Sequence, residues 1–182
     1  KEFRAIKNLV VQEAENLRQN IFTFEDTNMM AEYTDVLLGN SDYEAVPDHC
    51  QAVETLNADD VTQAEKRKAL QALEQLWDNG FAMAAHHLGR AWRKGLGVLP
   101  DDEEAEFWFR QSAEAGAACS QYALGTLLQE QGRMDEAMVC YKQAADAENQ
   151  TAQYHLGKMH LQGNMIPKDI TKAERYLTAA AE

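Results

Sequence analysis

Proline is scarce in this 182-residue chain, at three residues, and glycine is modest at ten. Both weaken helices from within, so their scarcity favours a helical chain. No apolar run is long enough to cross a bilayer, and no basic start leads into an apolar signal-type segment. The expectation is a cytoplasmic protein that does not enter membranes. Three cysteines occur, Cys50, Cys119 and Cys140, widely spaced and without a C-x-x-C. That excludes the usual zinc or redox dithiol spacing and leaves small apolar filler in a reducing compartment. Positive charge is also missing over a long stretch: no Lys or Arg lies between Arg18 and Lys66, where eleven Asp and Glu fall. In a chain of net charge −13, that stretch lacks the cations that displace counterions from phosphate. Direct binding of nucleic acid or of an anionic membrane is therefore not expected. The chain opens on Lys1 and its helical pattern still runs at Glu182, which suggests a segment of a longer protein.

What the chain does have is internal repetition. Ala84-Ala85-His86-His87-Leu88-Gly89, Ser120-Gln121-Tyr122-Ala123-Leu124-Gly125 and Ala152-Gln153-Tyr154-His155-Leu156-Gly157 align, the Leu-Gly pair recurring after 36 and then 32 residues. The first block continues through Trp92, Gly95, Gly97, Asp101, Ala105, Trp108, Phe109 and Gly116. The third matches it with His160, Gly163, Asp169, Ala173, Tyr176 and Leu177. The middle block has a loop four residues shorter and keeps Leu128, Gly132, Asp135, Ala137 and Tyr141. A leading half-block, Ala69, Leu73, Leu76, Trp77 and Gly80, lies 36 residues before its counterparts in the first block.

Each block reads as two antiparallel helices. Ala84, Leu88 and Trp92 share one helical face, and Ala105, Trp108, Phe109 and Ser112 form the inward face of the second helix. Trp77, Trp92 and Trp108 are thus expected in the core. Gly89 and Ala105 are small where backbones must approach, Gly95 and Gly97 bracket the turn, and Asp101 after Pro100 caps the next helix. One pair cannot bury its apolar face alone, whereas stacked pairs share a continuous core.

These residues resemble the Sel-1-like repeat, a relative of the tetratricopeptide repeat, over about residues 62 to 182. Trp92, Leu128 and His160 depart from it by standing where tyrosine is usual. The resemblance implies an all-α, open right-handed α-solenoid with a helical N-terminal cap. The domains expected are an acidic cap or connector over 1–61 and an array over 62–182, divided into a half-repeat at 62–80 and repeats at about 81–116, 117–148 and 149–182. Within the cap, Phe3, Ile6, Val10, Leu17 and Ile21 mark an amphipathic helix over 1–22. Short helices are expected through Met29–Leu37 and from Pro47 to Leu56. The run FRAIKNLVVQEAENLRQNIFTFED, from Phe3 to Asp26, is in turn similar to the C-terminal accessory part of some mobilisation relaxases. That implies an alternative: a docking segment of a DNA-processing protein of a mobile element whose catalytic domain is absent here.

Catalytic chemistry finds no constellation. His86 and His87 are adjacent, His155 and His160 are five apart, and none fits the i, i+4 spacing of zinc ligands on a helix. Asp59-Asp60 and Glu103-Glu104 precede or open helices, where capping accounts for them. Gly95-x-Gly97 follows a helix and lacks a phosphate-loop pattern. Neither catalytic residue, metal nor cofactor is expected, and the fragment reads as a non-enzyme. The resemblance implies a protein-interaction scaffold, with the first helix of each pair lining a concave face. The positions carried over are His86, Arg90, Arg93 and Lys94; Tyr122, Thr126, Gln129 and Glu130; and Tyr154, Lys158, Leu161 and Gln162. Arg90, Arg93 and Lys94 lie at i, i+3, i+4, and with Tyr122 and Tyr154 they are expected to grip an acidic or carboxylate-bearing peptide.

Overall fold

A computed structural model of the chain describes residues 45–181. The helix expected over 1–22, the short one through Met29–Leu37 and the run that resembles relaxases lie outside these residues. Among the described residues every regular element is a helix. These are α1 (Ala45–Asn57), α2 (Gln63–Asp78), α3 (Met83–Lys94), α4 (Asp102–Glu114), α5 (Ala118–Glu130), α6 (Met134–Asp146), α7 (Gln150–Gln162) and α8 (Ile170–Ala181). The chain divides into two compact units, one ending at Ala117 and the other beginning at Ala118. Within each unit consecutive helices pack against one another, so the fold is the all-α repeat architecture read from the sequence.

In the first unit, α2 starts on a reciprocal capping box. Glu65 N donates to Thr62 Oγ1 at 3.3 Å, and Thr62 N donates to Glu65 Oε2 at 2.7 Å. Its partner is α1, whose Ala52, Val53 and Leu56 are buried. The half-repeat therefore does not stand alone: the helix that the sequence assigns to the cap pairs with it. Helix α3 ends on Gly95 in the left-handed conformation, φ 73°. Gly97 follows with φ 80°, and a Cβ there would lie 2.7 Å from the α2 backbone at Lys66 and Arg67. Its N–H donates to Gln63 Oε1 at 2.9 Å, and its carbonyl accepts from Arg67 Nε at 3.3 Å. The loop is thus held against α2 by both backbone groups of one glycine. Asp101 then caps α4, its Oδ1 accepting from Glu103 N at 2.9 Å and Glu104 N at 3.2 Å. Leu73, Leu88 and Phe109 are fully buried at the centre of this unit.

The second unit repeats the plan with different caps. Asn149 opens α7 by accepting from Ala152 N at 2.9 Å, and Asp169 opens α8 by accepting from Lys172 N at 3.0 Å. The long loops close alike in the two complete copies, because Asp101 N donates to Trp92 O and Asp169 N donates to His160 O. In the shortened middle copy Arg133 N reaches Leu128 O instead, at 2.9 Å. Leu127, Leu128, Tyr141 and Leu156 fill the core here.

The glycine of each Leu-Gly pair receives a side chain from the second helix of its own pair. A Cβ on Gly89 would meet the Phe109 ring at 2.6 Å, one on Gly125 the Tyr141 ring at 2.7 Å, and one on Gly157 the Leu177 side chain at 2.7 Å. The tryptophans depart from the expected core placement. Trp77, Trp92 and Trp108 are only half-buried, because Phe109 takes the interior position and its neighbour Trp108 is left at the helix edge, its ring meeting that of Trp77 at 6.1 Å.

Candidate partner-binding surface

The first helices supply the candidate positions, and those of the first unit differ from expectation. His86 and Arg90 are buried, at 1% and 7% exposure, while Arg93 is half-buried and Lys94 exposed. The resemblance places His86 and Arg90 on a partner-facing surface, whereas the structure buries both. His49 of α1 meets His87 at 5.0 Å between ring centroids and Phe81 at 5.0 Å. His86 meets His87 at 5.3 Å and Phe109 at 5.7 Å. Burial lowers His49 to about 3, with a backbone hydrogen bond to Met83 opposing. Burial and then Arg90 lower His86 to about 3, and burial, followed by the nearby His49 and His86 and then Arg90, holds His87 well below its usual value. These imidazoles are neutral packing groups. Among the described residues, no cluster of His, Cys, Asp and Glu is placed to hold a metal ion.

The second unit brings its candidates together. Tyr141 on α6 donates its hydroxyl proton to Gln129 Oε1 on α5 at 2.8 Å, and His155 Nε2 on α7 lies 3.3 Å from the same oxygen. The rings close around this point: Tyr141 to His155 at 4.6 Å, Tyr122 to Tyr141 at 5.7 Å and Tyr122 to His155 at 5.9 Å. Burial, then Lys158, lowers the His155 pKa, so at neutral pH this ring is uncharged. Outside the cluster, Tyr154 is 51% exposed and Lys158 Nζ stands 5.5 Å from its ring centroid. Thr126 is half-buried with its hydroxyl donating to Tyr122 O, and Glu130, Leu161 and Gln162 are exposed. His155 and Tyr141 were absent from the predicted surface. The contacts joining them to Gln129 span 26 and 12 residues, beyond the reach of helical periodicity.

Chemically, this arrangement offers hydrogen bonding, aromatic surface and one exposed ammonium. The Tyr141 proton is engaged by Gln129. Cys50, Cys119 and Cys140 are buried. No helix among the described residues is long and apolar enough to cross a membrane.

Helix hairpins of near-constant length, each locked by the same glycine, with polar side chains on the first helices, define an α-helical repeat protein. The particular repeat is settled by comparison. The Sel1 repeat family matches residues 82–116, 120–149 and 150–182, more than half of the chain, and the chain belongs to that family. Two solved structures are similar to it. One is a protective antigen present in uropathogenic Escherichia coli strains that displays an SLR fold, with 27% identity, TM-score 0.57, and coverage of 63% of this chain and 26% of that one. The other is a Sel1 repeat protein from Oxalobacter formigenes, with 32% identity, TM-score 0.54, and coverage of 63% of this chain and 89% of that one. This chain thus corresponds to about a quarter of the length of the antigen. Sel1 repeat proteins are in general protein-interaction scaffolds, and the fold is typically non-enzymatic.

Proposed function

We propose that the protein is a scaffold that receives a segment of a partner polypeptide on the first helices of its repeats, with the α5–α7 surface of the second unit as the recognition floor. The observation that carries this reading is the fixed carboxamide of Gln129. Its oxygen faces the Tyr141 hydroxyl and His155 Nε2, so the side chain cannot rotate freely, and its amide hydrogens are directed away from both. A preorganised amide donor costs little entropy on binding and suits a peptide carbonyl or carboxylate. On the same helix as His155, exposed Tyr154 provides an aromatic plane and Lys158 an ammonium, which makes an acidic segment the fitting guest. In the first unit Lys94 and the half-buried Arg93 present cations on α3, while His86 and Arg90 support that helix from below.

Selection of peptides from a random display library on the intact chain, followed by calorimetry with Gln129→Leu, Tyr154→Ser and Lys158→Glu variants, tests this. Selected peptides should be enriched in Asp and Glu, and Gln129→Leu should weaken them by about tenfold or more, the cost of losing one hydrogen bond to a charged group. Peptides that bind all three variants as they bind the parent chain would remove α5–α7 as the receiving surface.

A further inference from the structure

The opposite side of the first unit carries a second surface, built from the second helices α2 and α4. Trp77 and Trp108 meet edge to face at 6.1 Å and 89°. Phe107 packs on Trp108 at 5.2 Å yet is 51% exposed. A turn ahead of each tryptophan stands a carboxylate, Glu74 before Trp77 and Glu104 before Trp108, and Asp78 follows directly. Burial, then Asp78 and Glu104, raises the Glu74 pKa, which places the three acids within each other's field. Among the described residues no cation pairs with Glu74, Asp78 or Glu104. The basic residue further along α4, Arg110, is ion-paired with Glu106 at 2.6 Å. Exposed aromatic rings, and like-charged carboxylates crowded beside them, are both better satisfied against a cation carrying an apolar stem.

We infer that this α2–α4 surface binds a basic segment of a partner polypeptide, with an Arg or Lys side chain laid on Trp77 and Trp108, its charged head between Glu74 and Glu104, and a neighbouring apolar residue on Phe107. The charge selects against the alternatives. An acidic peptide or a nucleic acid would face three carboxylates, and a hydrated metal ion has no apolar stem to lay on the rings. The site uses no residue of the first-helix surface, so it stands or falls separately from the function proposed above.

The probe is an acetylated, amidated octapeptide of alternating Arg and Leu, with its Glu-for-Arg counterpart as control, titrated into the full chain while indole N–H signals are followed by NMR. The Arg peptide should shift the Trp77 and Trp108 signals saturably and leave Trp92 in place, and the Glu peptide should shift none. The double variant Glu74→Gln, Glu104→Gln should weaken binding about tenfold or more. A second double variant, Asp146→Asn with Glu174→Gln, removes the same charge elsewhere and should change binding by less than about twofold, the weight of a distant screened charge. Phe107→Ser, at a position too exposed to hold the fold together, should weaken the Arg peptide as well. Equal losses in the two double variants would reduce the effect to bulk attraction, and unmoved Trp77 and Trp108 signals would overturn the site.

Discussion

Glycine in mid-helix costs about 1 kcal/mol relative to alanine, yet Gly89, Gly125 and Gly157 each sit inside a first helix. The contact each makes explains the choice, because the missing Cβ is where Phe109, Tyr141 or Leu177 rests. Phe109 is 1% exposed and has no room to retreat. Gly89→Ala should therefore destabilise by a net of about 1–3 kcal/mol, overpacking outweighing the gain in helix propensity. Denaturant unfolding checks the sign: a more stable variant would mean that the ring yields. The double variant Gly89→Ala, Phe109→Ala should lose less than the sum of the single variants, since the two groups compete for one space. Gln129 is the polar equivalent at this scale, a side chain whose position is set by Tyr141 and His155.

At the scale of elements, α1 is joined to α3 by the rings of His49, His86 and His87. All three are neutral when folded and held well below the usual 6.5 by burial first. The unfolded chain binds protons at these sites below about 6.5 and the folded chain does not, so their stabilisation is complete above that pH and declines as pH falls. Each proton contributes a slope of about 1.4 kcal/mol per pH unit, and three together about 4. Between about pH 5 and 6.5, above the carboxylate range, denaturation midpoints should fall steeply with acid. His87→Leu should flatten that dependence by one proton and leave stability at pH 7 equal or higher, because among the described residues His87 Nε2 has no hydrogen-bond partner to lose. An unchanged slope would show that the ring already takes up its proton in the folded chain. The repeat register, the Asp101 cap and the loop glycines were legible in the sequence because each is set within one or two turns by local chemistry, Asp101 with its own helix start and Gly95 at a left-handed end, whereas the Thr62–Glu65 box went unread. The burial of His86 and Arg90 was not, because periodicity says which residues share a face and not which face a further helix will cover. His155 went unread for the same reason, its partners lying one and two helices away.

For the whole molecule, the net charge of −13 gives the two proposed surfaces opposite kinetics. A field of one sign speeds the approach of oppositely charged partners and slows like-charged ones, and it reaches about 30 Å at 0.01 M salt but only about 8 Å at 0.15 M. A basic peptide bound at Trp77 and Trp108 is drawn in by the whole chain and then held by local carboxylates. An acidic peptide bound at Gln129 and Lys158 must cross a repelling field to reach one exposed ammonium and an amide. Raising the salt over that range should therefore slow association of the Arg-Leu octapeptide by about tenfold or more and speed association of the acidic peptide, with dissociation rates changing less in both cases. Stopped-flow measurement of the two peptides on one protein preparation decides it. Association rates that fall together with salt would mean that both peptides enter through local cations and anions of comparable weight, and the division of labour between first and second helices would be lost.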